Sequence, residues 1–277
     1  MDTISHRINA WDGLTLHVIE WPGGDRLTPI LCLPGFVRTA ADFETLAAAI
    51  RTGRRVIGID YAGRGDSGRA ADIARYAPEA CVRDVLDVSA ALHIHHAVVI
   101  GTSFGGLLVM GVAAARPGLV GAVVLNDIGP DIGSDGAAFV QDFVGEDPAL
   151  ESLDACVTFL RAKLPPLSLD SDSAWRRMAE LTYQPGADGR WHPVWDIRIA
   201  RSLRRAPPDL WPLFGALAHV PVLLVCGAVS NILLPATVAR MQAIRPDMRV
   251  VTLPGVGHAP ILTEPPVLAA IRRFLET

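Results

Sequence analysis

Hydrophobic residues along this chain fall into short runs rather than long stripes. Leu14-Thr-Leu-His-Val-Ile19 alternates apolar and polar positions, as a strand with one solvated face does. Pro29–Leu33, Val56–Asp60, Ala97–Ile100 and Ala122–Leu125 are continuous apolar runs, the pattern of strands covered on both faces. Helical patterns lie between them at Ala40–Ile50, Pro78–Leu92 and Phe104–Ala115. The last is stopped by Arg116-Pro117, because proline lacks the N–H that would continue it. Strand and helix in alternation predict a parallel sheet with right-handed crossovers.

The alternation lapses between about Asp131 and Ala218. It resumes with a strand at Val222–Cys226, a helix at Ala236–Ile244, a strand at Arg249–Leu253 and a closing helix at Pro266–Leu275. The expected organisation is an α/β core in residues 1–130 and 219–277, with a helical cap inserted at 131–218. An insertion after a strand's carboxyl end lies over the ligand crevice of a parallel sheet. This one holds Trp175, Trp191, Trp195 and Trp211, four of the chain's six tryptophans. They either line a pocket or fill a small core of the insertion itself, and the pattern leaves both open.

Composition narrows the function classes. A chain of 277 residues, 50% hydrophobic, buries about three quarters of its unfolded surface, so its core needs no disulfide or structural metal. A net charge of −4, with no run of five Lys or Arg, argues against a nucleic-acid partner and favours a small-molecule substrate. No apolar span reaches 18 residues, and Met1–His6 lacks a basic segment followed by an apolar one, so neither a membrane span nor a secretory signal is expected. Cys32, Cys81, Cys156 and Cys226 have no CxxC spacing, and two sit in strand-like runs; a reducing cytoplasm is the expected location. His93, His95 and His96 cluster without a nearby carboxylate, so no metal site is expected there.

The chemistry begins at Gly101-Thr-Ser-Phe-Gly-Gly106, which follows a buried run and opens a helix. Glycines on both sides permit a tight strand-to-helix turn that exposes Ser103 at a helix N-terminus. A serine nucleophile needs a base. His258, in the Gly/Pro-rich Gly255–Pro260 loop after the last strand, is the candidate. A developing oxyanion needs backbone N–H donors, and Phe104, which follows the serine, and Phe36, in the loop Leu33-Pro-Gly-Phe36, are placed to supply them.

These segments resemble the α/β-hydrolase superfamily over nearly the whole chain. The similarity is carried by the LPGF loop, Asp60-Tyr-Ala-Gly-Arg-Gly-Asp-Ser-Gly68, the GTSFGG turn, Asn126-Asp-Ile-Gly-Pro130 and Gly255-Val-Gly-His-Ala-Pro-Ile-Leu262. The resemblance implies an eight-stranded, mostly parallel sheet, a cap after the sixth strand, a Ser-acid-His triad and no cofactor. A serine at position 103 separates the chain from haloalkane dehalogenases and epoxide hydrolases, which carry Asp there. The Arg64-Gly-Asp66 tripeptide resembles the family's GxGxS turn rather than an adhesion signal, with Asp60 anchoring it.

The acid departs from the common pattern. Where most members of the superfamily have an acidic residue after the seventh strand, this chain has Asn231 in Gly227-Ala-Val-Ser-Asn231. An amide in place of the acid costs a serine protease ~10⁴ in rate. Some members place the acid after the sixth strand instead, which points to Asp127. A turn-capping role is its bland alternative.

The expectation is a serine hydrolase that cleaves a small ester, lactone, thioester or amide through an acyl-enzyme. Arg38, Arg161, Trp191 and Trp195 are possible substrate-binding residues. Asn231 keeps open a binding or sensing module that has lost turnover, and a C–C bond hydrolase and a cofactor-free haloperoxidase are enzyme-class rivals. A nicotinamide enzyme fits poorly, because Ser103 breaks the GxGxxG fingerprint.

Overall fold

The computed structural model describes residues 2–204 and 209–276. In chain order the strands are β1 (Ile4–Asn9), β2 (Thr15–Trp21), β3 (Ile30–Leu33), β4 (Val56–Ile59), β5 (Ala97–Thr102), β6 (Val120–Asn126), β7 (Tyr183–Pro185), β8 (Trp191–Pro193), β9 (Val222–Gly227) and β10 (Arg249–Leu253). Eight form one sheet in the order β1-β2-β4-β3-β5-β6-β9-β10, and β7 and β8 form a separate hairpin. Every pairing from β4 to β10 across the large sheet is parallel, while β2 is antiparallel to both its neighbours.

The continuous apolar runs have the cause inferred for them: each central strand is buried on two faces. Leu31, Leu33, Ile57, Ile59, Val99, Val123, Leu125 and Leu224 point into one core, shared with α2 (Pro78–Ala91) and α3 (Phe104–Ala115). Ile30, Cys32, Val56, Val98, Ile100, Val124, Leu223 and Val225 point into the other, shared with α1 (Glu44–Ile50) and α9 (Pro265–Leu275). The period of two along each strand divides the apolar residues between the faces.

Three elements differ from the expected ones. The segment Ala40–Ile50 starts as a 3-10 turn, Ala40–Phe43, before becoming α1. Strand β1 is an additional edge strand; its outward positions are polar and its residues mostly exposed, so it has no apolar run to announce it. The β7–β8 hairpin has three residues per strand and a proline in each, too short for a period to register.

Between β6 and β9 the chain forms α4 (Ser134–Val144), α5 (Leu153–Lys163), α6 (Asp172–Glu180), the hairpin, a 3-10 segment Ile197–Arg204 and α7 (Trp211–Gly215); α8 (Pro235–Ile244) follows β9. This inserted segment has its own small core of Cys156, Leu160, Ala179 and Tyr183, against which Trp175 and Trp191 pack. It is tied to the rest of the chain by apolar packing, with Val144, Trp195, Ile199 and Phe214 in the same core as the strands, and by hydrogen bonds. Gly65 N–H donates to the Val194 carbonyl and Asp196 N–H to that of Gly63, each at 2.8 Å. The Tyr76 hydroxyl donates to Asp196 at 2.7 Å. Burial opposes ionisation of Asp196, but hydrogen bonds from Arg198 and Tyr76 outweigh it and hold its carboxyl down at about 2. No described helix is long and apolar enough to cross a membrane.

Candidate active site

Strand register brings the functional loops to one end of the sheet. Leu33 pairs with Gly101, Thr102 with Asn126, Asn126 with Val225, and Gly227 with Leu253. The segments that leave β3, β5, β6, β9 and β10 therefore emerge side by side, and they carry Phe36, Ser103, Asp127, Ser230 and His258 respectively.

Ser103 sits at the turn between β5 and α3 with φ +52° and ψ −119°. That left-handed backbone is costly for a non-glycine residue and is retained here by the surrounding packing. The flanking glycines are needed for close approach: a Cβ on Gly105 would lie 2.0 Å from the Leu33 carbonyl oxygen, and one on Gly101 would lie 2.6 Å from the Gly105 backbone. The Ser103 N–H donates to the Asn126 carbonyl at 2.9 Å, fixing the turn to the end of β6.

His258 is held between two oxygens. Its Nε2 is 2.8 Å from Ser103 Oγ, and its Nδ1 is 2.7 Å from Asp127 Oδ2. An ionised carboxylate only accepts, so Nδ1 carries the proton and donates it to Asp127, leaving Nε2 to accept from the serine hydroxyl. Asp127 has no exposed surface and adopts φ +55°. Its Oδ1 accepts from the Gly227 N–H at 2.9 Å, and its Oδ2 also accepts from Ser230 Oγ at 2.6 Å. A buried carboxylate with three donors is well compensated for leaving water.

Ser230 and Gly227 were not singled out from the sequence, and neither was Asn126. The Asn126 side-chain amide donates to the Pro260 carbonyl at 2.8 Å and to Thr102 Oγ1 at 3.1 Å, bridging the histidine loop to the end of β5. Its place beside Asp127 at a strand end is the only sequence signal it gives. Asn231 takes no part in the hydrogen-bond chain; its backbone carbonyl is packed where a Cβ on Gly133 or Gly136 would fall, at 2.2 and 2.5 Å.

The Phe36 loop lies beside the serine, since a Cβ on Gly35 would come 3.9 Å from Ser103 Cβ. Phe104 is the first residue of α3, where backbone N–H groups have no intrahelical acceptor. Among the described residues the backbone N–H groups of Phe36 and Phe104 have no hydrogen-bond partner. Their rings meet edge to face with centroids 4.8 Å apart. Arg64 has no exposed surface, so the Arg64-Gly-Asp66 tripeptide is not displayed to a partner. Asp60 anchors that loop by accepting from the Asp66 N–H at 3.3 Å, and is itself held by the Ala40 N–H and the His17 ring, both at 2.7 Å.

The other candidates are engaged elsewhere. Arg38 makes a fork onto Asp42, with both nitrogens at 2.6 Å, and its Nη1 donates to Thr182 Oγ1, so three of its five N–H donors are committed within the protein. Arg161 pairs with the exposed Asp172 and lies over the Trp175 ring. Trp191 packs into the inserted segment's core, and Trp195 is buried with its indole N–H donating to the Val144 carbonyl at 2.9 Å. The tryptophans at 175, 191 and 195 thus contribute to packing, Trp195 fully buried and the other two partly so.

A serine on a strand-to-helix turn, with a histidine and a buried carboxylate in line, is the arrangement of one large family, and residues 30–271 match the model of the alpha/beta hydrolase family. The chain belongs to that family. Among alpha/beta hydrolases it is 32% identical to the 3-hydroxybutyrate-oligomer hydrolase of Cupriavidus necator over 92% of this chain and 90% of that one. It is 29% identical to the 2-(acetamidomethylene)succinate hydrolase of Mesorhizobium japonicum over 99% and 95%. A crystal structure of an alpha/beta hydrolase from Novosphingobium aromaticivorans is 39% identical and superposes with a TM-score of 0.93, covering 99% of this chain and 98% of that one.

Proposed function

We propose that the protein is a serine hydrolase that cleaves a small carboxylic ester, lactone, thioester or amide through an acyl-enzyme. The observation that carries the reading is the unbroken line from Ser103 Oγ through the His258 ring to the buried Asp127 carboxylate, with hydrogen bonds of 2.8 and 2.7 Å. Ser103 Oγ attacks the acyl carbon while its proton moves to His258 Nε2. The imidazolium so formed keeps its Nδ1 proton on Asp127, and the N–H groups of Phe36 and Phe104 receive the oxyanion. Collapse of the tetrahedral intermediate expels the alcohol, thiol or amine, which takes the Nε2 proton. Water then attacks the acyl-serine, giving its proton to His258, and the acid leaves as Ser103 is regenerated. Every proton in the cycle is moved by these side chains, so the reaction needs no metal or cofactor.

Residues 131–218 act in this reading as a cap over the site, and the enzyme works in the cytoplasm on a small molecule. Esters are the first class to screen, beginning with oligomers of 3-hydroxybutyrate, because the Cupriavidus relative is named for that substrate and shares 32% identity.

The test is intact-mass spectrometry after exposure to a fluorophosphonate, with peptide mapping and Ser103→Ala as control. We expect one adduct per chain on Ser103, none on the variant, and loss of nearly all ester turnover in Ser103→Ala. A folded wild type that neither labels nor turns over esters would overturn the reading and favour a binding module on the same scaffold.

A further inference from the structure

Below the two unpartnered N–H groups lies a charge that nothing in the mechanism above uses. Arg64 has no exposed surface, and its guanidinium carbon sits 5.1 Å from the centre of the Phe36 ring, 5.7 Å from that of Tyr61 and 5.8 Å from those of Tyr76 and Phe104. Its Nε donates to the Phe36 carbonyl at 2.9 Å and its Nη1 to the Ala62 carbonyl at 2.7 Å, while Nη2 is buried without a partner. Among the described residues no carboxylate comes within 4.0 Å of it. The buried carboxylates of this region are taken up elsewhere. Asp84 holds Arg75, Asp196 holds Arg198 and the Tyr76 hydroxyl, and Asp60 holds His17 and the Ala40 N–H.

Arginine stays ionised in a protein interior. Sealing an unpaired cation among four rings is costly, and cation–π attraction offsets only part of that cost. An aliphatic residue of similar length would fill the space without it. The charge is also placed asymmetrically with respect to function. It holds the Phe36 carbonyl, faces the Phe36 ring and faces the Phe104 ring, so one side chain meets both residues whose backbone N–H groups beside the serine have no partner.

We propose that Arg64 is a positioning residue for the oxyanion site. It fixes the Phe36 peptide relative to Phe104 and lends the pocket an uncompensated positive charge. The inference rests on the hydrolase reading. A neutral substrate carbonyl gains little from such a charge, whereas the tetrahedral oxyanion gains a great deal in a low-dielectric setting, so the effect belongs to kcat and not to KM. A residue that only braced the loop would change the folded fraction or KM instead.

The experiment compares Arg64→Met, which removes the charge, with Arg64→Lys, which keeps it. Turnover of p-nitrophenyl butyrate is normalised to active sites counted by fluorophosphonate labelling, so unfolded protein does not enter the rate. We expect kcat of Arg64→Met to fall about 100-fold with KM within about threefold, on the scale of losing an oxyanion donor. Arg64→Lys should stay within about tenfold of wild type, and at least about tenfold above the Met variant, because the cation remains. Affinity for a trifluoromethyl ketone, whose serine adduct carries the negative charge, should fall in step with kcat. Should Arg64→Met not fold, Arg64→Gln removes the charge while keeping a donor for the Phe36 carbonyl, and the same loss of kcat is expected. A neutral variant with wild-type kcat per active site, or a Lys variant as slow as the neutral one, would overturn the proposal. A wild type that neither labels nor turns over brings down the hydrolase reading and this inference together. An active, labelled wild type beside an equally active Met variant brings down this inference alone.

Discussion

The chain leaving β6 and the chain leaving β9 start side by side, because Asn126 pairs with Val225, yet they bring different chemistry to the same histidine. The β6 end supplies the carboxylate, Asp127, on a residue turned to φ +55°. The β9 end supplies no carboxylate. It provides two donors to the one next door, the Gly227 N–H and the Ser230 hydroxyl. The Nδ1–H of His258 requires a buried, hydrogen-bonded carboxylate oxygen at the right distance, and adjacent parallel strands end close enough for either to provide it. What distinguishes them is which end has been given the donors. The chain's asparagine at 231 is therefore no defect in the arrangement, since the duty it would have had is met from the neighbouring strand.

The strongest way to break this comparison is to remove the β6 carboxylate. Asp127→Asn should lower kcat on an activated ester by roughly 10³–10⁴-fold, because the amide presents the wrong partner to Nδ1–H and cannot stabilise the imidazolium. KM should change little. The double variant Asp127→Asn with Asn231→Asp makes the test sharper. We expect it to recover none of the loss, since the donors remain aimed at position 127. Recovery to near wild-type kcat would mean that the two strand ends are interchangeable in this chain.

The comparison also shows what can be read from a sequence. Ser103 and the glycines around it are legible because the turn is local: strand, tight bend and helix lie within a dozen residues, and the clash that excludes a Cβ at Gly101, 2.6 Å from the Gly105 backbone, arises within that bend. His258 is legible from its loop. Asp127 is legible only in part, as a carboxylate at a strand end. Its donors are not, because Gly227 and Ser230 lie 100 and 103 residues away, and only the lateral pairing of β6 with β9 across the inserted segment brings them near. Side chains whose partners are polar groups of the fold misled in the other direction. Arg38 looked free, although its acceptor Asp42 is four residues on, the spacing of an ion pair across one helical turn. Trp195 looked like a pocket residue, yet its indole N–H satisfies the end of α4 at Val144. The aromatic composition of the inserted segment is the same whether it builds a core or a pocket, so packing alone decides.

A smaller effect is expected from the β9 side of the pair. Ser230→Ala removes one of the three donors to Asp127 and the acceptor for the Ile232 and Leu233 N–H groups, at 3.2 Å each. The Asp127 carboxylate then becomes freer to rotate away from His258. We expect kcat to drop about tenfold, the equivalent of one good hydrogen bond to a charged group, with KM held. Ser230→Thr, which keeps the hydroxyl, should restore most of the rate. A Ser230→Ala enzyme with wild-type kcat would show that Ser230 merely closes a turn, and that the division of labour between the two strand ends is one-sided.

The smallest effect should come from Asn231→Asp alone, and its smallness is informative. If the β9 end kept a latent place for the acid, a carboxylate at 231 would support His258 and raise turnover. No such gain is expected. The backbone of residue 231 is packed against Gly133 and Gly136 at the start of the inserted segment, and its side chain is outside the line from Ser103 to Asp127. An aspartate there should keep kcat within about threefold of wild type, at the level of an ordinary surface-charge change. A tenfold gain in kcat would reverse the conclusion, because it would mean that the chain of hydrogen bonds through Asp127 is the weaker of two available acids and that position 231 still reaches the histidine.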